Sequence, residues 1–280
     1  MIKKLELPRK MTKKDRLQLL KTSQKELLNN LIQDPVELKA FVKGWTQGFH
    51  RYSLRNYILA RQQYPEVSLM AGYGSWKKRG RIVKRGEQAI WIITPGFYKE
   101  KGSEEDKIFF KAGAVYDVNQ TEGEPVEIGH DRKVQGEISF QEVADKITQI
   151  PIILQAEGLS NGFTNGIEIN IAPKNNDASM VATLIHEVAH IELKHLGNDD
   201  IPYNVGEMEA ELTSFMVCAA LGVDNGRSRG YISNWLKDSS TEDIRAEEVF
   251  KIAEAIVNRI IPEEKPAQSK TMPQPVAITA

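Results

Sequence analysis

Residues 183–195 read TLIHEVAHIELKH, and whether this segment holds a metal decides how the second half of the chain is built. His186 and His190 are four apart. On a helix that spacing puts both side chains on one face, one turn apart, so two imidazoles can converge on a single ion. Glu187 stands beside the first histidine. In the H-E-x-x-H pattern this carboxylate does not bind the metal. It takes a proton from the attacking water, whose pKa the metal has lowered. Chance produces the pattern roughly once per hundred chains of this composition. The flanking Leu184, Ile185, Val188, Ala189 and Ile191 are apolar. Burying two imidazoles and a carboxylate among them is costly unless a partner is present. A metal ion, expected to be Zn2+, removes that cost.

A closed ligand set needs a third donor. His195 lies five residues past His190 and, on a continuing helix, points to a different face. The longer pattern H-E-x-x-H-x-x-G-x-x-H fails, because Leu193 and Leu196 occupy its glycine and third-histidine positions. The next helical segment, GEMEAELTSF (206–215), offers Glu207, Glu209 and Glu211. Glu209 shares a face with Leu212 and Met216 and can point inward. The other two suit the charged start of a helix. Spacing alone does not choose among the three. Tyr203 and His195 are the candidates for stabilising an oxyanion.

Around this motif the pattern predicts helices over 140–150, 178–196, 207–222, 228–236 and 240–261. Between them PIILQ (151–155), NGFTNG (161–166) and IEINIAP (167–173) predict short strands, with Asn-Gly turns at 161–162 and 165–166. The first half reads differently. Helical spacing covers 15–32, 34–49 and 52–65, with Asp34 as N-cap and Pro35 at the first helical position. QAIWIITPGFYKE (88–100) and KIFFKAGAVYDV (107–118) predict two antiparallel strands. The expected organisation is a basic arm over 1–15, one domain over 16–126, a linker over 127–137, a second domain over 138–262 and a disordered tail over 263–280. The fold class is α+β.

The totals exclude little. The chain has 280 residues, 41% hydrophobic, with a net charge of −1. One cysteine, Cys218, sits in an apolar run and suits a reducing compartment. No stretch approaches the roughly 18 apolar residues of a membrane span, and the basic N-terminus lacks the apolar core of a secretory signal. A cytoplasmic location is expected, with no membrane partner.

The charge distribution says more. Residues 41–101 carry 12 Lys and Arg against 3 Asp and Glu, and 14 of the 21 aromatic residues precede residue 120. Basic groups that follow a phosphate backbone, with aromatic faces for unstacked bases, are what single-stranded DNA binding requires. Against this, many of these aromatics must form the core, and a KKRGR cluster can be a solvated loop. The candidate DNA contacts are Tyr52, Arg55, Asn56, Trp76, Lys77, Lys78, Arg79, Arg81, Lys84 and Arg85. Trp76, beside two lysines, is the aromatic expected to be exposed.

The C-terminal half resembles the gluzincins, whose zinc is held by two histidines and a downstream glutamate. EMEAELTSFMV is similar to the E-x-E-A segment of ImmA/IrrE-type peptidases, and that resemblance implies Glu209 as the third ligand. It also implies that IEINIAP is an edge strand beside the active-site cleft, open to an extended peptide. GW..GF..YSLRNYILA, MAGYGSWKKRGR, VKRGEQAIWI..P and AGAVYDVNQTEGEP resemble the N-terminal single-stranded-DNA-binding domain of ArdC-type antirestriction proteins, which join it to an H-E-x-x-H metallopeptidase-like domain. The family's P-W-x-x-P-W motif is missing: GWTQGFHRYS contains no proline, so contacts inferred from that motif do not transfer. The resemblance implies a DNA-binding zinc metallopeptidase of mobile genetic elements, acting against restriction, with a protein substrate that the sequence does not name. The rivals are a regulatory protease that cleaves a repressor and a DNA-binding protein whose zinc is structural.

Overall fold

The computed structural model describes residues 5–8, 10–46, 52–100, 106–126, 138–155, 161–174, 176–223 and 243–261. The expected linker at 127–137, the tail at 263–280 and the helix at 228–236 lie outside them. The fold is α+β, with helices packed against small, mostly antiparallel sheets.

Three helices open the chain. Helix α1 (Lys13–Leu31) is capped by Thr12, whose side chain accepts the Asp15 N–H, and buries Leu20, Leu27, Leu28 and Leu31 on one stripe. Helix α2 (Pro35–Thr46) starts as its sequence requires: Asp34 accepts the Val36 and Glu37 N–H groups, both at 3.0 Å. Helix α3 (Leu54–Gln63) is capped by Ser53. Strand β1 (Met70–Ala71), helix α4 (Tyr73–Lys78) and strand β2 (Arg81–Val83) follow. Strands β3 (Ile90–Lys99) and β4 (Asp106–Asp117) pair antiparallel from Ile90↔Val115 to Lys99↔Asp106. Strand β5 (Thr121–Gly123) returns to pair with β2.

The sheet order β1-β4-β3 leaves β3 at an edge. Two amides of α3 cover that edge. Asn56 bonds the Ile93 N–H and C=O at 2.9 and 2.8 Å, and Gln63 bonds both groups of Trp91 at 2.8 Å. Side chains thus take the place of a missing strand and satisfy backbone groups that would otherwise invite pairing.

In the second half, α5 (Phe140–Ile147) precedes a three-stranded sheet of order β6-β8-β7. Strand β6 (Ile152–Leu154) runs parallel to β8 (Ile169–Ile171), and β7 (Gly162–Thr164) runs antiparallel to it. The Asn165–Gly166 pair forms the β7–β8 turn, with Gly166 at φ 85° and Asn165 N–H donating to Glu168 C=O. Gly162 lies within β7, so the other Asn-Gly pair is not the hairpin turn expected for it. Helices α6 (Asp177–Glu192), α7 (Tyr203–Leu221) and α8 (Ala246–Ile260) complete the described chain.

Helix α7 is buried on nearly every side. It packs on α6, α8 and also α2. A helix surrounded in this way must be apolar all round except where a polar group has a partner. The Ser214 hydroxyl meets that demand by donating to the Ala182 C=O of α6 at 2.9 Å. One apolar cluster runs from Leu20 and Trp45 to Phe250 and Ile260, joining residues of both halves.

The expectation for Trp76 is corrected. Its side chain is fully buried, with the indole N–H donating to the Tyr116 C=O at 2.9 Å and Arg79 lying over the ring at 5.5 Å. The lysines beside it occupy the outer face of α4, and the short helix turns the tryptophan in. Trp76→Ala should therefore cost about 3–5 kcal/mol of stability, read as a lower urea midpoint. An exposed stacking residue would cost almost nothing.

Candidate metal centre and nucleic-acid face

Helix α6 starts at Asn176, whose side chain accepts the Ser179 N–H. Three turns later it presents His186 and His190 side by side, with Nε2 atoms 3.1 Å apart. Helix α7 brings Glu207 over the pair. One carboxylate oxygen is 3.6 Å from His186 Nε2, and the other is 3.4 Å from His190 Nε2. Two ligands on a tetrahedral ion with bonds of roughly 2.0–2.1 Å stand about 3.4 Å apart. The spacing of this donor set therefore fits a divalent ion. Among the described residues, His186, His190 and Glu207 form the only cluster that could hold one.

Glu209 is elsewhere. It sits two residues on, across the helix, fully buried, and its carboxylate is taken by His195 Nε2 at 2.9 Å and by the Arg245 side chain and backbone N–H. The choice among the three glutamates follows from helical phase. Glu207 and Glu211, four apart, face α6, and Glu211 bonds His186 Nδ1 at 3.1 Å. Glu209 faces α8.

His195 also departs from expectation, because the helix does not continue. Lys194 adopts φ 60°, Gly197 φ 66°, and the His195 N–H closes back on the His190 C=O at 2.9 Å. That left-handed stop swings the His195 ring under His190, Nδ1 to Nδ1, at 3.0 Å. Both of its nitrogens are engaged, so it is not an oxyanion donor. Tyr203 is 82% exposed at the cleft mouth, and its hydroxyl bonds Glu207.

Glu187 is 7% exposed, and no described residue hydrogen-bonds it. Burial raises its pKa to about 7, with His186 partly offsetting the rise. Burial alone would lower the pKa of His186. The Glu207 carboxylate beside its Nε2, the hydrogen bond to Glu211, and the charges of Glu211 and Glu187 reverse that and raise it to about 9. His190 is pushed down, first by burial and then by the charge of His186. The cleft has a volume of about 450 Å³ and is lined by Gly162, Phe163, Leu196, Ile201 and Tyr203 around the ionisable groups. Its rim strand is β7. IEINIAP supplies the central strand β8 instead of the edge. A Cβ on Gly162 would lie 2.6 Å from Thr183 Cγ2 and 3.1 Å from a Glu187 carboxylate oxygen. Only glycine lets the strand come this close to the acid.

The basic residues divide. Asn56 is occupied by β3. Arg81 is spent on Thr121, donating from Nε to its hydroxyl at 2.8 Å and from Nη2 to its C=O at 2.9 Å. Lys84 donates to the Asn119 C=O. Lys77, Lys78, Arg79 and Arg85 are exposed. Tyr52 and Arg55 line a second cleft of about 670 Å³ with Lys21, Pro95 and Phe110. The Arg55 Nε there is buried and has no partner among the described residues. Sequence reasoning missed Phe97, Tyr98, Phe109 and Phe110, which stand 41–63% exposed on the outer half of the β3–β4 ribbon. The runs FYK and IFF lack strand alternation; that was the available signal.

Solved structures with this architecture exist. Crystal structures of the antirestriction protein ArdC from plasmid R388, one metal-free and one Mn(II)-bound, match 85% and 86% of the chain and 97% and 99% of their own. Their TM-scores are 0.51 and 0.52, at 20% identity. The chain has the ArdC fold. A Bacillus anthracis protein, itself uncharacterized, is 25% identical over 293 residues, 82% of this chain and 48% of its own length. The chain thus spans about half the length of that curated relative. No protein-family profile matches. Among the described residues, no helix of this ArdC fold is long and apolar enough to cross a membrane.

The histidine geometry sets a pH dependence. The folded pKa of His186, about 9, lies above its ordinary 6.5. Its protonation therefore stabilises the metal-free protein fully below pH 6.5, and that contribution is lost as pH rises to 9. A metal ion must displace this proton. Apparent metal affinity should climb from pH 6.5 to 9, with proton release on binding, as read by titration calorimetry in buffers of different ionisation enthalpy.

Proposed function

We propose that the chain is a divalent-metal peptidase joined to a single-stranded-DNA-binding face, acting against restriction during entry of mobile DNA. One observation carries the hydrolase reading: His186, His190 and Glu207 converge with ion-sized separations beside a buried Glu187 that has no hydrogen-bond partner among the described residues. A purely structural site has no use for such a carboxylate.

His186, His190 and Glu207 would hold the ion, zinc by their chemistry; the ArdC of R388 was crystallised with Mn(II). When bound, the ion acidifies water and polarises a carbonyl. The rest belongs to the chain. An extended peptide would lie along the edge of β7 that no described strand pairs, its backbone joined as an added strand, with Gly162 keeping it close to Glu187. Glu187, with a pKa of about 7, is suited to take a proton from the attacking water and return it to the leaving amine. Tyr203, at the cleft mouth, would reach the developing oxyanion only by releasing its hydroxyl from Glu207. Leu196, Ile201 and Phe163 favour an apolar side chain beside the scissile bond.

The DNA reading rests on a revised surface. Phe110 and Tyr52 offer faces for bases, and Lys21 and Arg55 offer charge. The exposed Lys77 and Lys78 of α4 offer further charge on the same half of the chain. The antirestriction role is suggested by the R388 protein, whose fold this chain shares.

Variants separate the two activities. Glu187→Gln should keep metal and fold and abolish peptide cleavage. His186→Ala should lose metal and keep DNA. Arg55→Ala with Phe110→Ala should weaken oligonucleotide binding at least tenfold and keep metal, while wild-type DNA affinity falls steeply with salt. Plasmid transfer into a restricting host, with each variant, shows which activity protects. Wild-type protein that takes up no divalent metal would overturn the peptidase assignment.

A further inference from the structure

The groups behind the proposed ligands form a chain of their own. His190 turns Nε2 toward His186 and Glu207, and Nδ1 toward His195 Nδ1 at 3.0 Å. His195 turns Nε2 to Glu209 at 2.9 Å. Glu209 is held by the Arg245 backbone N–H at 2.7 Å and by its guanidinium Nε at 3.1 Å. Arg245 Nη2 also donates to the Leu193 C=O at 3.1 Å, at the turn that carries His195.

For neutral imidazoles at 190 and 195, one arrangement of protons satisfies the contacts behind the proposed ion site. A carboxylate and a guanidinium fix the far end: Glu209 can only accept, so His195 must carry its proton on Nε2. His195 Nδ1 is then an acceptor, and His190 must donate from Nδ1. That leaves the lone pair of His190 on Nε2, pointing at the proposed ion site and facing His186 Nε2 at 3.1 Å. Glu211 accepts from His186 Nδ1, so His186 is left to ligate through Nε2 once an ion takes the place of the proton between the two Nε2 atoms.

We propose that Arg245, Glu209 and His195 are positioning residues that fix the tautomer and orientation of His190. This rests on the reading of His190 as a ligand. Partners behind a ligating histidine are worth roughly 10–100-fold in metal affinity. An ion pair that only pinned α8 to α7 would be worth nothing there. It also gives Glu209 a role: the acidic residue that looked like a ligand acts two bonds further back.

The test compares His195→Phe and Glu209→Gln with wild type. His195→Phe keeps the ring volume and removes both nitrogens; Glu209→Gln keeps the side-chain shape and removes the charge. Arg259→Ala is the control, since Arg259 pairs with Glu192 and ties α6 to α8 without touching a histidine. Zinc affinity is measured by competition with a chromophoric chelator, on protein shown by circular dichroism to be folded, and the Co(II) absorption spectrum is recorded. The expected result is a 10–100-fold loss of zinc affinity and an altered Co(II) spectrum in both variants, with the control unchanged. If either folded variant binds zinc like wild type, the relay is overturned and the metal centre stands. If wild type itself binds no metal, the ligand reading fails and takes the relay with it.

Discussion

Seven ionisable side chains are packed between α6, the turn after it and α7, and the cost of placing them there constrains everything around them. His186, Glu187, His190, His195, Glu207, Glu209 and Glu211 are all substantially buried. Leaving any one of them without a counterpart in an apolar interior costs several kcal/mol. The structure meets this almost entirely by pairing: Glu211 with His186, His195 with His190 and Glu209, and Glu209 with Arg245. Glu187 stands outside the network, and its raised pKa expresses that isolation. A group kept poised in this way, facing a cleft, is what proton transfer near neutral pH needs.

The pairing dictates the helix packing. Helix α7 must present Glu207 and Glu211 to α6 and Glu209 to α8, so it has to lie between them. Its remaining surface, Met208, Leu212, Phe215, Met216 and Val217 among others, is then enclosed and apolar. The small sheet is positioned by the same requirement. Gly162 lets β7 approach α6 closely enough to form one wall of the cleft.

The first half follows a different logic. Its polar residues are largely consumed in holding the sheet: Asn56 and Gln63 cover the β3 edge, Arg81 binds the backbone of β5, and Asp117 gathers the N–H groups of Ser68, Leu69 and Asn119. The aromatic residues inside this scaffold, Phe41, Trp45 and Trp76, are core. Among the described residues, exposed aromatic side chains gather on the outer β3–β4 ribbon. Composition pointed to an aromatic, basic surface; it did not say which aromatics are on it.

The sequence alone determined the local facts: the His186–Glu187–His190 spacing on a helix, the capped start of α2, the antiparallel pairing of β3 with β4 and the α+β class. These depend on helical and strand periodicity and on short-range hydrogen bonds, which neighbours in the chain specify. Tertiary structure decided which glutamate lies over the histidine pair, where His195 points and whether Trp76 is inside. Each of those turns on the phase of one helix against another, or on where a helix stops. Such phases are set by many weak apolar contacts between residues distant in the chain, and no local spacing encodes them.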